Sequence, residues 1–600
     1  DVLGSRGLGD VYKRQAREPR WSRMEETFGE DPVLTSTLGV AFMKGMQGEV
    51  QNDGKHLFST LKHFAAYGIP ESGHNGARAN IGMRQLFSDY LHPFKKAVEA
   101  GAGTIMTSYN SIDGVPCTAN KYLLSDILRK EWEFNGFVYS DLSSIEGITG
   151  ARVAQNHKEA SVLALKAGVD MDLGGNAYGK NLRQALKEKL IGMQDIDRAV
   201  ANILRLKFRM GLFENPYVSP EKAGRTVRSR AHKELARQVA RKGVVLLKNE
   251  GILPLSKQLK SIAVIGPNAD NMYNQLGDYT APQERKEITT VLDGIRNTVS
   301  ASTQVTYVKG CAIRDTTAHH IPAAVEAAQK ADAVVLVVGG SSARDFKTKY
   351  IETGAATVTQ EENQQLSDME CGEGYDRSTL KLLGYQEKLM EAITSTGKPV
   401  IVIYIQGRPL NMNLAAEKAQ ALLTAWYPGE QGGAAIADVL FGDYNPAGRL
   451  PVSIPRSEGQ LPLFYSQGEQ RSYVEEAGTP LYAFGYGLSY TQFDYSHLKL
   501  EKGNSPDILQ KVSCTITNIG DRDGEEVVQL YICDKVASVS QAPILLKGFR
   551  RIFLKKGESK QVTFTLGKEE LSLYNMEMKQ VVEPGEFKVM VGTASNDIRP

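Results

Sequence analysis

The chain has 600 residues, which is enough for about three to four domains that each bury their own core. Its 71 Lys and Arg residues nearly balance its 69 Asp and Glu residues, leaving a net charge of +2 without a long run of one sign. This balance argues against nucleic acid or an anionic membrane surface as the main partner and favours a neutral, polar one.

The cysteines give no sign of a metal site or of a disulfide framework. All five lie far apart, without a CxxC pattern and without pairs of histidines nearby. No apolar run approaches the roughly 18 residues that a membrane-spanning helix needs, so we expect no membrane span. The opening stretch "DVLGSRGLGDVYKRQ" lacks the apolar region of a signal peptide.

Residues 16–217 alternate short apolar stretches with amphipathic ones. The apolar stretches begin roughly 30 to 45 residues apart, the size of one βα unit, which predicts parallel strands joined by crossover helices. This pattern is typical of a β/α barrel or of an open doubly wound sheet. The predicted strands are 59–67, 103–110, 136–141 and 167–173, and the predicted helices between them include 84–100 and 158–167.

Polar side chains lie at the end of each of these strands. Because parallel strands end on the same face of a sheet, we expect them to gather where α/β domains build their sites. Asp141, which follows "GFVYS", could be a helix cap or a catalytic group, and this gathering favours chemistry. The polar residues are Lys62, His63, Ser108, Tyr109, Asn110, Asp141, Asp170 and Asp172.

The rest of the chain is predicted to form further modules. Near-continuous apolar runs in the middle are typical of strands buried on both faces of a second α/β domain. They predict five strands, within 243–250, 261–269, 331–341, 398–410 and 421–429. Alternating strands separated by turn-rich stretches near the end, within 511–520, 525–534, 560–568 and 585–592, indicate an all-β sandwich. The predicted boundaries are an unassigned segment at 1–15, a linker at 218–240, the second α/β domain at 241–455, a connecting segment at 456–490 and the sandwich at 491–600.

The second α/β domain contains an unusually long connection, residues 341–384, most of it without periodicity. Connections of that length inside a compact domain are usually functional or disordered. This one is polar and acidic and holds "SDMECGEGYDR". It is therefore either a solvated surface loop or a loop that delivers a carboxyl group to a neighbouring domain.

Two further stretches have ordinary interpretations beside functional ones. The pair Lys62 and His63 in "LKHFAAYG" is explained as well by a buried ion pair and a core histidine. The stretch "PRWSRMEETFGEDP", which contains Arg23, is explained as well by a helix start with capping acids.

A series of motifs in this order and spacing resembles glycoside hydrolase family 3. The resemblance runs from about residue 16 to the C-terminus and implies an α/β multidomain fold: a TIM-like β/α barrel lacking its N-terminal part, an α/β sandwich, and a fibronectin type III-like β-sandwich. The motifs are "AREPRWSRMEETFGEDP", "LKHFAAYG", "TIMTSYNSIDGVPCTAN", "GFVYSDLSSI", "AGVDMDL", "VVLLKNEGILPL", "IAVIGPNAD", "GEGYDRSTL", "QGRPL", "WYPGEQGG" and "YAFGYGLSYTQF".

The resemblance also implies roles for individual residues. Asp141 matches the catalytic nucleophile, and Glu373 of "GEGYDR" matches the acid/base, with Glu370 as the alternative three residues away. Retaining cleavage of a glycoside needs two such carboxyl groups about 5 to 5.5 Å apart, one ionised and one protonated. Four residues match groups that hold the sugar, and neither a metal nor an organic cofactor is implied. These four are Arg23, Lys62, His63 and Tyr109.

The chain departs from the family pattern in two places. Leu142 follows the expected nucleophile where relatives often carry Trp, so the wall of the sugar pocket differs. Residues 1–15 do not resemble the upstream barrel segment of the family, which normally brings an aspartate and an arginine to the sugar. We expect this stretch to be foreign to the family sequence and the chain to lack the first barrel strands and the signal region. Relatives are often periplasmic or secreted.

The function implied is that of a retaining, exo-acting β-D-glycosidase, a β-glucosidase in the first place. Its substrate would be a small oligosaccharide or an aryl or alkyl glycoside. A β-xylosidase is the close alternative, and a β-N-acetylglucosaminidase fits less well because "KHFAAYG" lacks the histidine of "KHFPGHG". The alternative from another class is a non-catalytic carbohydrate-binding protein. The sequence leaves the oligomeric state open.

Overall fold

The computed structural model describes residues 9–12, 15–48, 55–344, 368–468, 470–505 and 507–599. The chain divides into two compact units. The first comprises the described residues up to Glu221, and the second comprises the described residues from Lys222 onward. No helix in the described ranges is long and apolar enough to cross a membrane.

The first unit is built on a parallel sheet with the strand order β1-β2-β3-β6. Its strands are β1 (Gly9–Tyr12), β2 (Ser59–Phe64), β3 (Thr104–Thr107), β4 (Ser111–Ile112), β5 (Val115–Pro116) and β6 (Phe137–Tyr139). Its α-helices are α1 (Pro32–Gln47), α2 (Met83–Gln85), α3 (His92–Glu99), α4 (Gly147–Gly150), α5 (His157–Ala167), α6 (Gly179–Lys187) and α7 (Met193–Arg209). Two π-helical segments, Leu86–Leu91 and Tyr122–Glu131, and short 3-10 turns at Met24–Glu26, Glu71–Gly73 and Cys117–Ala119 complete it.

The predicted strands appear in this sheet, but they are shorter than expected. Strands β2, β3 and β6 are buried on both faces, as their apolar runs predict. The fourth predicted strand, 167–173, is reduced to one parallel bridge between Tyr139 and Met171. Charged residues at positions 170 and 172 interrupt that run, which limits the pairing to a single residue.

Strand β1 lies within the segment 1–15 that the sequence pattern leaves unassigned. It pairs in parallel with β2, from Gly9 opposite Ser59 to Tyr12 opposite Lys62. Four residues are too few for a recognisable period, so this place in the sheet could not be predicted. The foreign origin of residues 1–15 stays a prediction.

The core of the first unit lies between the sheet and the helices around it. Leu61, Ile105 and Val138 bring apolar side chains from three strands into one buried cluster. Phe64 stacks edge-on against Phe94 of α3, with ring centres 5.0 Å apart. Burial of this apolar surface holds the carboxyl ends of the strands at one edge of the sheet.

The second unit begins with a six-stranded sheet in the order β7-β12-β11-β10-β8-β9. Its strands are β7 (Val245–Asn249), β8 (Ser261–Ile265), β9 (Gln304–Val308), β10 (Ala333–Gly339), β11 (Val400–Ile405) and β12 (Ala421–Thr424). The helices are α8 (Pro220–Thr226), which spans the division between the units, α9 (Arg230–Gly243), α10 (Val291–Thr298), α11 (Ile321–Lys330), α12 (Gln386–Thr394), α13 (Asn413–Lys418) and α14 (Gly432–Leu440). Short 3-10 turns lie at Arg285–Glu287 and Glu458–Gln460.

This sheet contains the five strands that the apolar runs predict and one that they do not. All neighbours are parallel except β7, which runs antiparallel to β12. The additional strand β9 lies at the edge of the sheet and is only partly buried, so it lacks a continuous apolar run. The predicted linker 218–240 is largely helical, and Arg237 of α9 donates to Asp438 of α14 at 2.8 Å.

The chain ends in two facing antiparallel sheets, ordered β13-β14-β17 and β16-β15-β20-β21. Alternate residues such as Val512, Cys514 and Ile516 point into the buried core between them, as the predicted sandwich requires. Strands β13, β16 and β21 and a small hairpin were not predicted. The elements are β13 (Phe493–Ser505), β14 (Ile508–Asn518), β15 (Gly524–Asp534), β16 (Leu545–Leu554), β17 (Ser559–Leu566), α15 (Lys568–Leu571), β18 (Leu573–Tyr574), β19 (Gln580–Val581), β20 (Phe587–Ala594) and β21 (Asp597–Arg599).

Candidate active site

Asp141 lies two residues after β6, at the carboxyl edge of the sheet in the first unit. The turn that carries it is held on both sides. The hydroxyl oxygen of the fully buried Ser140 accepts from the backbone N–H of Leu173 at 2.9 Å, and the N–H of Ser144 donates to the carbonyl of Asp141 at 3.0 Å. Asp141 keeps 8% of its surface exposed, so its carboxylate is held in a mostly dry environment.

His63 contacts this carboxylate directly. Its Nε2 lies 2.9 Å from Oδ2 of Asp141, which is hydrogen-bonding distance. His63 and its neighbour Lys62 lie in β2 and are 1% and 5% exposed. The expectation that strand ends bring polar groups together is confirmed for Asp141 and His63, and Lys62, the residue before His63, is also buried.

The ring of Tyr67 lies among the predicted sugar-binding residues. Its centre is 5.3 Å from the ring of His63, 6.2 Å from that of Tyr109 and 5.2 Å from that of Trp21. The guanidinium of Arg23 lies 5.7 Å from the centre of the same ring. Tyr67 is not among the residues predicted from the sequence, although it belongs to the motif "LKHFAAYG". The signal that could have identified it is its position just after the end of β2, at the edge where polar groups gather.

Arg23 pairs with a carboxylate of its own segment. Its Nε and Nη2 donate to the two carboxylate oxygens of Glu26 at 2.5 and 2.9 Å, a bidentate arrangement that fixes the plane of the guanidinium. The ordinary interpretation of this stretch also holds in part. Asp31 caps α1 by accepting from the N–H of Leu34 at 2.7 Å.

Tyr109 holds the segment that follows the predicted nucleophile. Its hydroxyl donates to the carbonyl oxygen of Leu142 at 3.0 Å. Tyr109 and Leu142 are both half-buried. Tyr109 is therefore coupled to the backbone next to Asp141 as well as to the ring of Tyr67.

The two other aspartates at this edge have structural contacts. Asp170 accepts from Arg129 at 2.6 Å, from the N–H of Val138 at 2.9 Å and from Asn202 at 3.0 Å. Burial raises the pKa of Asp170 although Arg129 opposes the shift. Asp172 accepts from the N–H of Ala177 at 2.8 Å. Both carboxylates therefore stabilise the local structure by hydrogen bonds to neighbouring segments at this edge.

Glu373 belongs to the second unit and lies on a turn at 372–375, half-buried. Its backbone N–H donates to Oδ2 of Asp278 at 3.0 Å, and the hydroxyl of Tyr279 donates to its Oε2. Asp278 in turn accepts from Arg344 at 2.6 and 3.0 Å. Burial alone would lower the pKa of Arg344, but the hydrogen bonds and charge of Asp278 outweigh it and raise that pKa.

Glu370, three residues away, has different surroundings. Its side chain is 1% exposed, and its Oε2 lies 2.7 Å from Nη1 of Arg377 and 3.5 Å from Nε of Arg408. The fully buried Arg408 also donates to the carbonyl oxygens of Glu370 and Tyr375 at 2.9 Å. Burial alone would lower the pKa of Arg408, but nearby acidic groups, Glu370 among them, outweigh it and raise that pKa. Glu370 is thus part of a buried ion-pair cluster.

Part of the long connection 341–384, residues 345–367, lies outside the described residues. Within the parts of the chain that the structure describes, no group of three or more His, Cys, Asp or Glu side chains could hold a metal ion.

Comparisons with known proteins identify the family. The model of the Glycosyl hydrolase family 3 N terminal domain matches residues 15–206, that of its C-terminal domain matches 244–490, and a Fibronectin type III-like domain matches 526–595. A β-xylosidase from Formosa agariphila is 41% identical, over 98% of this chain and 80% of that protein. The chain belongs to glycoside hydrolase family 3.

Further relatives agree with this assignment. A periplasmic β-glucosidase from Salmonella typhimurium is 37% identical, over 97% of this chain and 78% of that protein. The crystal structure of a β-glucosidase from Listeria innocua in complex with glucose superposes with a TM-score of 0.89 at 33% identity, over 99% of this chain and 80% of that chain. The family, the fold class and the expectation of a glycoside hydrolase are thereby confirmed.

Proposed function

We propose that this family 3 hydrolase is a retaining, exo-acting β-D-glycosidase that releases a terminal β-D-glucosyl residue. The observation that carries the proposal is the contact between Asp141 and His63 at the carboxyl end of buried parallel strands, 2.9 Å apart. In α/β domains this edge is where reacting groups are placed. The substrate would be a small oligosaccharide or an aryl or alkyl glycoside.

In the first step, Asp141 attacks the anomeric carbon while the bond to the leaving oxygen breaks, which gives a covalent glycosyl-enzyme. The imidazole of His63, whose Nε2 lies 2.9 Å from Oδ2, packs against the Asp141 carboxylate and helps to hold it in place. In the second step, water replaces Asp141 at the same carbon, so the product retains the configuration of the substrate.

We assign the acid/base to Glu373. An acid/base must exchange its proton with the leaving group and with water, so it has to be within reach of the substrate. Glu373 is half-buried, with a phenol on one of its oxygens, whereas the Glu370 side chain is 1% exposed and held between Arg377 and Arg408. These surroundings support Glu373 for proton transfer and Glu370 for a structural role.

The sugar-binding assignments extend to Arg23, Lys62, His63 and Tyr109. Guanidinium, ammonium, imidazole and phenol groups all donate hydrogen bonds to sugar hydroxyls. The ring contacts of Tyr67 with three of these residues support a common site for them.

A β-D-xylosidase is the second candidate. A specific observation favours it: the relative that is 41% identical is a β-xylosidase, whereas the β-glucosidase relative is 37% identical. The two substrates differ only in the CH₂OH group of the sugar. The half-buried Leu142 is a residue through which the pocket wall could discriminate between them.

The test compares aryl β-glucoside, β-xyloside and β-N-acetylglucosaminide under identical conditions. We expect the highest kcat/KM with the glucoside, and ¹H NMR should detect the β-anomer as the first product. A higher kcat/KM with the xyloside would select the second candidate. Inverted product would contradict the retaining mechanism, and a preference for the N-acetylglucosaminide would contradict both substrate assignments.

A further inference from the structure

The surroundings of Glu373 contain a side-chain arrangement that the function proposed above does not use. Tyr279 lies on the segment between β8 and α10, and its hydroxyl donates to Oε2 of Glu373. The backbone of Tyr279 has φ +57°, in the left-handed region that non-glycine residues rarely adopt. Such a conformation persists only where the surrounding contacts enforce it, and it is typical of functional sites.

The contacts that enforce it are an ion pair and a stacked cation. Arg344 donates to both carboxylate oxygens of Asp278, whose side chain is 2% exposed. The same guanidinium lies 5.0 Å from the centre of the Tyr279 ring. Asp278 also accepts from the backbone N–H of Glu373 at 3.0 Å. The pair of Arg344 and Asp278 therefore fixes both the phenol of Tyr279 and the backbone of Glu373, the residue that the phenol contacts.

We propose that Tyr279 is a positioning residue for the acid/base, an inference that rests on the role proposed for Glu373. With the phenol donating to Oε2, the other oxygen, Oε1, carries the proton that is transferred. When the glycosidic bond breaks, that proton passes to the leaving oxygen and Glu373 becomes negatively charged. The hydrogen bond from Tyr279 strengthens as this charge develops, so it stabilises the transition state more than the ground state.

In the second step the transfer is reversed. Water loses a proton to Oε1 as its oxygen bonds to the anomeric carbon and the ester to Asp141 breaks. Tyr279 keeps its own proton throughout and forms no bond to the substrate. Its effect should therefore appear only where proton transfer limits the rate.

The dependence of the rate on the leaving group tests this. We compare Tyr279→Phe with Glu373→Ala as the reference and Tyr273→Phe as the matched control, all in the full chain. The hydroxyl of Tyr273 bonds to the backbone of Gln283, at 3.0 and 3.2 Å, in the same segment. Each variant is assayed on a dinitrophenyl glycoside, which needs no protonation, and on an alkyl glycoside, which does.

We expect Tyr279→Phe to lose about 10- to 100-fold in kcat/KM on the alkyl glycoside and less than about 3-fold on the dinitrophenyl glycoside. Tyr273→Phe should stay within about 3-fold of the original protein on both. The ratio of the two rates does not depend on the fraction of folded enzyme, so partial unfolding of a variant would not obscure the result.

Two outcomes would overturn the inference in different ways. If Glu373→Ala discriminates between the leaving groups and Tyr279→Phe does not, the positioning role of Tyr279 is wrong while the acid/base assignment stands. If Glu373→Ala lowers both rates equally, the assignment of Glu373 itself fails, and the role of Tyr279 fails with it.

Discussion

Glutamine substitutions at positions 370 and 373 should have opposite effects on stability and activity. Glutamine keeps the shape of the side chain and removes its charge. At position 370 it leaves Arg377 and Arg408, whose side chains are 7% and 0% exposed, without the carboxylate that lies 2.7 and 3.5 Å from them. At position 373 it leaves an amide oxygen that still accepts from Tyr279.

The expected magnitudes follow from these surroundings. Removing one partner of a buried ion pair typically costs about 3 to 5 kcal/mol of unfolding free energy. For a domain of roughly 150 to 250 residues, 1 kcal/mol lowers the melting temperature by about 2 to 4 °C, so Glu370→Gln should lower it by about 6 to 20 °C. Glu373→Gln, at a half-buried site where the amide oxygen still accepts from Tyr279, should stay within about 2 °C.

Thermal unfolding by circular dichroism and kcat/KM on an alkyl glycoside, measured on the same samples, provide the assay. Below its transition Glu370→Gln should keep activity within about tenfold, whereas Glu373→Gln should lose about 10²- to 10⁴-fold. An unchanged melting temperature for Glu370→Gln together with the activity loss expected of an acid/base variant would refute the reasoning and exchange the two roles.

Three further predictions concern other parts of the chain. Asp141→Asn should lower kcat by at least about 10⁴-fold with little change in melting temperature, since an amide cannot form the glycosyl ester; turnover near that of the original protein would contradict its role. Tyr67→Ala should lower kcat/KM by about 10²-fold through the loss of the ring beside His63, whereas Tyr67→Phe should keep most of the original kcat/KM. Equal losses of kcat/KM in the two variants would show that the hydroxyl, and not the ring, is responsible. Gly433→Ala should lower the melting temperature by at least about 2 °C, because a Cβ at this position would overlap the carbonyl oxygen of Thr290 and push α14 away from α10. An unchanged melting temperature would show that the two helices adjust freely.

Much of the fold could be predicted because its central strands are buried on both faces. The runs around β10 and β11 are apolar without interruption, and all of their residues are buried. The edge strand β9 could not be found in this way, because its residues are only partly buried and its pairing is with one neighbour. Most of helix α9 lies within the predicted linker 218–240, because the polar stretch with two prolines at 213–230 indicates a linker, and the ion pair of Arg237 with Asp438 is a contact across 201 positions of sequence.

The candidate site shows a similar division. The meeting of His63 and Asp141 follows from a simple rule, that parallel strands end at the same edge. The grouping around Tyr67 does not follow from that rule, because it depends on where a ring points after its strand has ended. The sequence also groups Asp170 and Asp172 with Asp141, because it shows that they follow a strand but not where their side chains point. In the structure their carboxylates accept from backbone and side-chain donors of the fold.

The two glutamates illustrate what decides a functional assignment in this chain. Glu370 and Glu373 are the same residue type, three positions apart on one connection, so neither composition nor spacing separates them. What differs is the partner: two arginines hold one carboxylate inside the unit, and a phenol in a strained turn contacts the other. The arginine pair holds the Glu370 carboxylate inside the unit, with its side chain 1% exposed, whereas Glu373 is half-buried. An acid/base must reach both the leaving group and water at each turnover, and of the two glutamates Glu373 has the more accessible surroundings.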